Sequence, residues 1–132
     1  MDRAWWKTYI TEVLKTFKGE LATAISSCFS AKHYPIPRVN NSGAGAIELA
    51  ILKGASTVLL IGYDMQHTGG KKHWHGDHPR HLANAGKVSQ WPAEFERLKA
   101  RHKGVSIINC SRDTALTCFQ RMNLEDALRE FN

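Results

Sequence analysis

An α/β domain with a mostly parallel sheet is the fold class this sequence predicts, on three observations. Two short apolar runs, STVLLIG at residues 56–62 and GVSIINC at residues 104–110, have the length and aliphatic content of strands buried on both faces. A helical pattern precedes each run, and a third closes the chain. The resulting order of helix, strand, helix, strand and helix is that of a parallel sheet.

The elements follow in order. Trp6, Tyr9, Ile10, Val13, Leu14 and Phe17 recur at helical spacing, and Gly19 ends the pattern. The Trp5-Trp6 pair reads as core packing. SAKHYPIPRVNNSG is a loop, extended by Pro35 and Pro37. Asn41 and Ser42 can cap a helix over residues 43–53, and Gly54 stops it. After the first strand, residues 63–90 are polar and rich in glycine, a loop length that is usually functional or disordered. Ser89 or Gln90 then opens a helix with Pro92 in its first turn, and Phe95 and Leu98 face inward. The second strand follows, and NLEDALREF is a closing helix capped by Asn123. No repeat, low-complexity tract or interior linker divides the chain, so residues 1–132 read as one domain.

Composition narrows the classes. Hydrophobic content of 42% with 23% charged residues is that of an ordinary soluble globular domain. No apolar run approaches membrane-spanning length, and MDRAWWKTYI reads as neither a signal peptide nor a lipidation site, so no membrane partner is expected. Cys28, Cys110 and Cys118 lack metal-ligand spacing and suggest a reducing, cytoplasmic setting. The net charge of +6 suits a phosphate-bearing partner. The basic residues are spread widely, without an arginine-rich arm, which disfavours nucleic acid.

The densest chemistry lies in the histidine-rich loop GGKKHWHGDHPRH, residues 69–81. His73, His75, Asp77 and His78 match the zinc-ligand string of the metallo-β-lactamase superfamily. Neutral imidazoles and a carboxylate so spaced can hold a divalent cation and lower the pKa of a bound water. In that superfamily, however, the string follows a strand directly and later ligands complete the site. Here YDMQHTGGKK intervenes, and only His102 follows His81. A metal-dependent hydrolase with zinc on His73, His75, Asp77 and His78 is therefore an alternative rather than the main reading. The loop could also fold back on itself through hydrogen bonds, or offer one histidine as proton acceptor beside a phosphate ligand.

Between Asn41 and Gly69 the chain resembles the nucleotide-sugar-binding half of bacterial sialyltransferases related to the DUF115 and motility-accessory-factor group. NSG opening a helix, KGASTVLLIGYDM and TGG carry the likeness, and SQWPAEFERLKARHKGVSIINCS resembles the next helix and strand. WWKTY, NSGAGAIELA, IGYDMQHTGGKKHWHGDHP and INCSRDTALTCF also resemble a tailed-phage protein family sometimes loosely labelled morphogenetic. That second likeness implies a bacteriophage or prophage origin, hence the host cytoplasm, and no particular activity.

The resemblance implies a Rossmann-like three-layer domain, shortened at the N-terminus because the family's first strand and glycine-rich turn have no counterpart here. It implies a glycosyltransferase-like domain that binds a nucleotide sugar or related phosphate ligand. Asn41, Ser42 and Gly43 would contact the donor at a helix N-terminus, where free amides favour anions. Asp64 would lie beside the nucleotide or order the loop, and Gly69 and Gly70 would turn the chain back over it as a lid. The family's phosphate-holding tyrosines fall at Gln66 and near Lys72, and no histidine stands after Ala85 where its base is expected. Lys71 or Lys72 would then serve the phosphate, and His73, His75 or His78 would serve as the catalytic base. A non-enzymatic phage protein, binding a nucleotide or joining an assembly, is the other alternative. A sheet edge or Trp5-Trp6 face left uncovered by the missing strand points to a homo-oligomer.

Overall fold

The computed structural model describes residues 3–26, 28–37, 39–70, 78–79, 82 and 88–131. It is an α/β protein, with two short parallel sheets among the described residues. Helix α1 spans Arg3–Thr16, ending one turn short of the expected Gly19. Only Trp6 of this helix is buried, whereas Trp5 is 37% exposed. The expectation that both tryptophans pack in the core is corrected: adjacent helical residues point in different directions, so one core face takes only one of them. The two rings meet edge-on, with centroids 5.3 Å apart.

The segment expected as plain loop carries strand β2 (Lys32–His33), which pairs in parallel with β1 (Ala22–Thr23). Glu20 fastens this small sheet to the rest. Its carboxylate accepts from Lys53 at 2.5 Å, Tyr34 Oη at 2.6 Å and Lys32 at 3.3 Å.

Helix α2 (Ser42–Leu52) begins one residue earlier than expected, with Asn41 as N-cap, and Gly54 ends it at φ +95°. A positive φ there is what glycine tolerates and other residues resist. Strand β3 (Thr57–Leu60), helix α3 (Trp91–Arg101), strand β4 (Ser106–Asn109), strand β5 (Gln120–Arg121) and helix α4 (Leu124–Glu130) follow among the described residues, with short 3-10 turns at Thr68–Gly70 and Val88–Gln90. The three strands run parallel in the order β3-β4-β5, registered Leu60 to Asn109 and Asn109 to Arg121.

Side chains alternate between the two sheet faces, as the pleat requires. Val58, Leu60 and Ile107 join Ala44 and Ile47 of α2 and Phe95 and Leu98 of α3. Leu59, Ile108 and Cys110 gather instead with Ala127 of α4. Burial on both faces holds for β4 but not for β3, where only Leu60 is buried. Strand β3 ends the sheet order among the described strands, and an end strand has a neighbour on one side only. Helices α2 and α3 are also joined by charge: Glu48, 3% exposed, accepts from Arg101 Nη2 at 2.5 Å and lies 2.7 Å from His102 Nε2. Among the described residues no helix is long and apolar enough to cross a membrane.

Candidate functional site

Three parallel strands end on the same side of the sheet, and their following loops enclose a cleft of about 950 Å³. The segment after β3 contributes Ile61, Gly62 and Asp64; the one after β4 contributes Cys110, Ser111, Arg112 and Asp113. Arg121 and the residues leading into α4, from Met122 to Glu125, form the third wall. Open parallel sheets bind ligands beyond their carboxyl ends because loops there diverge and leave room. A smaller hollow of about 260 Å³, lined by Lys99, His102 and Phe119 among others, borders the opening residues of β4.

Hydrogen bonds fix the cleft walls. Tyr63 N donates to Ser111 Oγ at 2.8 Å, and Thr114 Oγ1 donates to Tyr63 O at 2.6 Å. Ala115 N donates to Asp64 O at 2.8 Å. On the other flank, Arg121 Nη2 reaches Ser111 O at 2.8 Å and Arg112 O at 3.0 Å. The guanidinium of Arg121 therefore holds the Ser111-Arg112 backbone. Arg112 itself is exposed on the lining, and among the described residues its side chain makes no hydrogen bond or ion pair.

The lining mixes Arg112 and Arg121 with Asp64, Asp113 and Glu125. Burial, and then the nearby Glu125 carboxylate, push the Cys110 thiol up from its ordinary value. A thiol so shifted is protonated at neutral pH and is a poor nucleophile. Burial likewise raises the Tyr63 phenol, which stays a neutral donor to Gly43 O at 3.1 Å.

The structure brings the start of α2 to the same end of the sheet as Asp64. The Tyr63 ring packs so closely that a Cβ on Gly43 would come within 2.8 Å of it, and Asn41 Nδ2 lies 3.9 Å from Met65 Sδ. The helix start nevertheless does not line the cleft. Asn41 Oδ1 accepts from Gly43 N at 2.8 Å and Ala44 N at 3.2 Å, so those amides serve the cap rather than an anion. Ser42 is exposed beside them.

Gly69 and Gly70 both adopt positive φ, at +61° and +74°, in the turn where the chain was expected to double back. His78 is half-buried. Lys71, Lys72, His73, His75 and Asp77 lie outside the described residues. Among the described residues, no group of three or more His, Cys, Asp and Glu is arranged to hold a metal ion.

Sequence reasoning missed Asn109, Ser111, Arg112, Thr114 and Arg121. The available signal was the polar run NCSRDT directly after an apolar strand, at the sheet end already singled out for Asp64. Searches of family models, curated proteins and solved structures found nothing that matches the chain.

Proposed function

We propose that this chain is a glycosyltransferase-like domain that binds a nucleotide sugar or related phosphate ligand in the cleft beyond β3, β4 and β5. The carrying observation is that cleft of about 950 Å³, with Arg112, exposed and unengaged among the described residues, on its wall. Its size is within the range of small-molecule sites, and its place is the one open α/β sheets use. Apolar clusters on both sheet faces support a three-layer, Rossmann-like arrangement. In this reading Arg112 takes the phosphate, since a guanidinium matches two phosphate oxygens at once. Asp64 and Ser111 border the nucleoside or sugar. The start of α2 buttresses the site through Tyr63 rather than touching the ligand.

Transfer would join an acceptor hydroxyl oxygen to the sugar carbon as the bond from that carbon to phosphate breaks. The hydroxyl proton passes to a histidine, with His73, His75 and His78 the candidates, and the nucleotide leaves with the bonding electrons. Lys71 or Lys72 would assist Arg112 in balancing its charge.

A thermal-shift screen of nucleotides and nucleotide sugars, followed by calorimetry, tests the binding step. We expect the parent to bind at least one of them and Arg112→Ala to lose roughly tenfold in affinity or more, the scale of a charge-assisted contact. A binding ligand indifferent to Arg112→Ala would remove the phosphate from this wall.

A further inference from the structure

We infer that Asn109 and Thr114 are positioning residues of the cleft, locking the loops after β3 and β4 into one unit that opens as a whole. The task given to that unit rests on the ligand reading above, but its first readout needs no ligand.

Asn109 is the last residue of β4 and is 0% exposed. A buried amide is tolerated when its bonds are made, and here they all go to the loop that follows. Oδ1 accepts from Ser111 N at 3.0 Å, while Nδ2 donates to Leu116 O at 3.2 Å and lies 3.3 Å from Thr114 Oγ1. One side chain thus ties the beginning, middle and end of residues 111–116 together.

Thr114 carries the tie across the sheet. Its hydroxyl accepts from Leu116 N at 3.0 Å and donates to Tyr63 O at 2.6 Å. Tyr63 N to Ser111 Oγ and Ala115 N to Asp64 O add two more crossings. The β3–β4 ladder ends at Leu60 and Asn109, so these contacts take over where strand pairing stops. Because one hydroxyl serves three partners, removing it leaves Asn109 Nδ2, Leu116 N and Tyr63 O each short of a bond. Shared partners make the loss collective. The spacing between Asp64 and the Ser111–Asp113 turn is thereby set before any ligand arrives, which lowers the ordering cost of binding.

Amide hydrogen exchange on the parent, Thr114→Val, Thr114→Ser and Asn109→Asp tests this. Valine keeps the shape of threonine without the hydroxyl, serine keeps the hydroxyl, and aspartate replaces the Asn109 donor by an acceptor. In Thr114→Val and Asn109→Asp the amides of Tyr63, Ser111, Ala115 and Leu116 should speed up together by about tenfold or more. Those of Leu60 and Ile108 should keep parent rates, and Thr114→Ser should stay near the parent. Acceleration of Leu116 alone, or equal acceleration of the strands, overturns the unit; if Asn109→Asp does not fold, Thr114→Val decides.

Calorimetry with CMP and UDP then tests the positioning role. Thr114→Val should bind the probe that the parent binds roughly tenfold more weakly, and Thr114→Ser should not. Equal affinity despite loosened loops overturns that role. A parent that binds neither probe counts against the ligand reading and leaves the exchange pattern to judge the lock.

Discussion

Glu20 shows how much a single exposed side chain can reveal about its surroundings. Hydrogen bonds from Lys53, then Tyr34, then Lys32 hold its carboxyl at about 2, against an ordinary 4.5. A carboxyl pKa depressed by folding gives a contribution that is present above about pH 4.5 and fades as pH falls toward 2. Being exposed, the clasp is also screened by salt. An NMR titration should place the Glu20 midpoint well below that of an unpaired glutamate, and Lys53→Met should move it back up. A parent midpoint near 4.5 would mean the clasp does not persist in solution. Asn109 makes the complementary case for legibility. It lies inside the run read as a strand over residues 104–110, and the structure makes it the strand's last residue. Its use as a hub depends on Thr114 and Leu116 folding back beside it, which no local pattern encodes.

At the scale of elements, α1 was legible from apolar residues recurring at helical spacing, α2, α3 and α4 from their capping, proline and glycine signals, and β3 and β4 because each is an apolar run between breakers. Strands β1, β2 and β5 have two residues apiece, too few for any period to register. The half-burial of β3 was also invisible, since exposure of a strand depends on neighbours that its own residues do not name. The candidate site was legible to the same extent: the end of β3 located Asp64 and the polar run after β4 carried Arg112, whereas Arg121 needed β5 to bring it there. Between α2 and α3, Glu48 gives a direct test. Truncating it strands Arg101 and His102, but Arg101 is 40% exposed and can regain water. We expect Glu48→Ala to cost about 1–3 kcal/mol in urea unfolding, below the full penalty for a completely buried pair. A change within about 0.5 kcal/mol would show that the pair adds little to the packing of α2 on α3.

For the whole molecule, charge and surface bear on partners. A net charge of +6 favours encounter with phosphate-bearing ligands, and salt should slow it. Trp5, Leu14 and Phe17 of the N-terminal segment are exposed at 37%, 46% and 52%. We propose that a second copy covers them, and multi-angle light scattering should then give at least twice the monomer mass of 14.8 kDa. A monomer at high concentration would contradict that. A nucleotide-bearing ligand is proposed for the cleft beyond the parallel strands. Backbone chemical-shift mapping during titration with nucleotides and nucleotide sugars tests it most directly. The predicted result is saturable shifts concentrated at Asp64, Ser111 to Asp113 and Arg121. Shifts gathered instead around Lys99, His102 and Phe119, or none with any of these ligands, would contradict it.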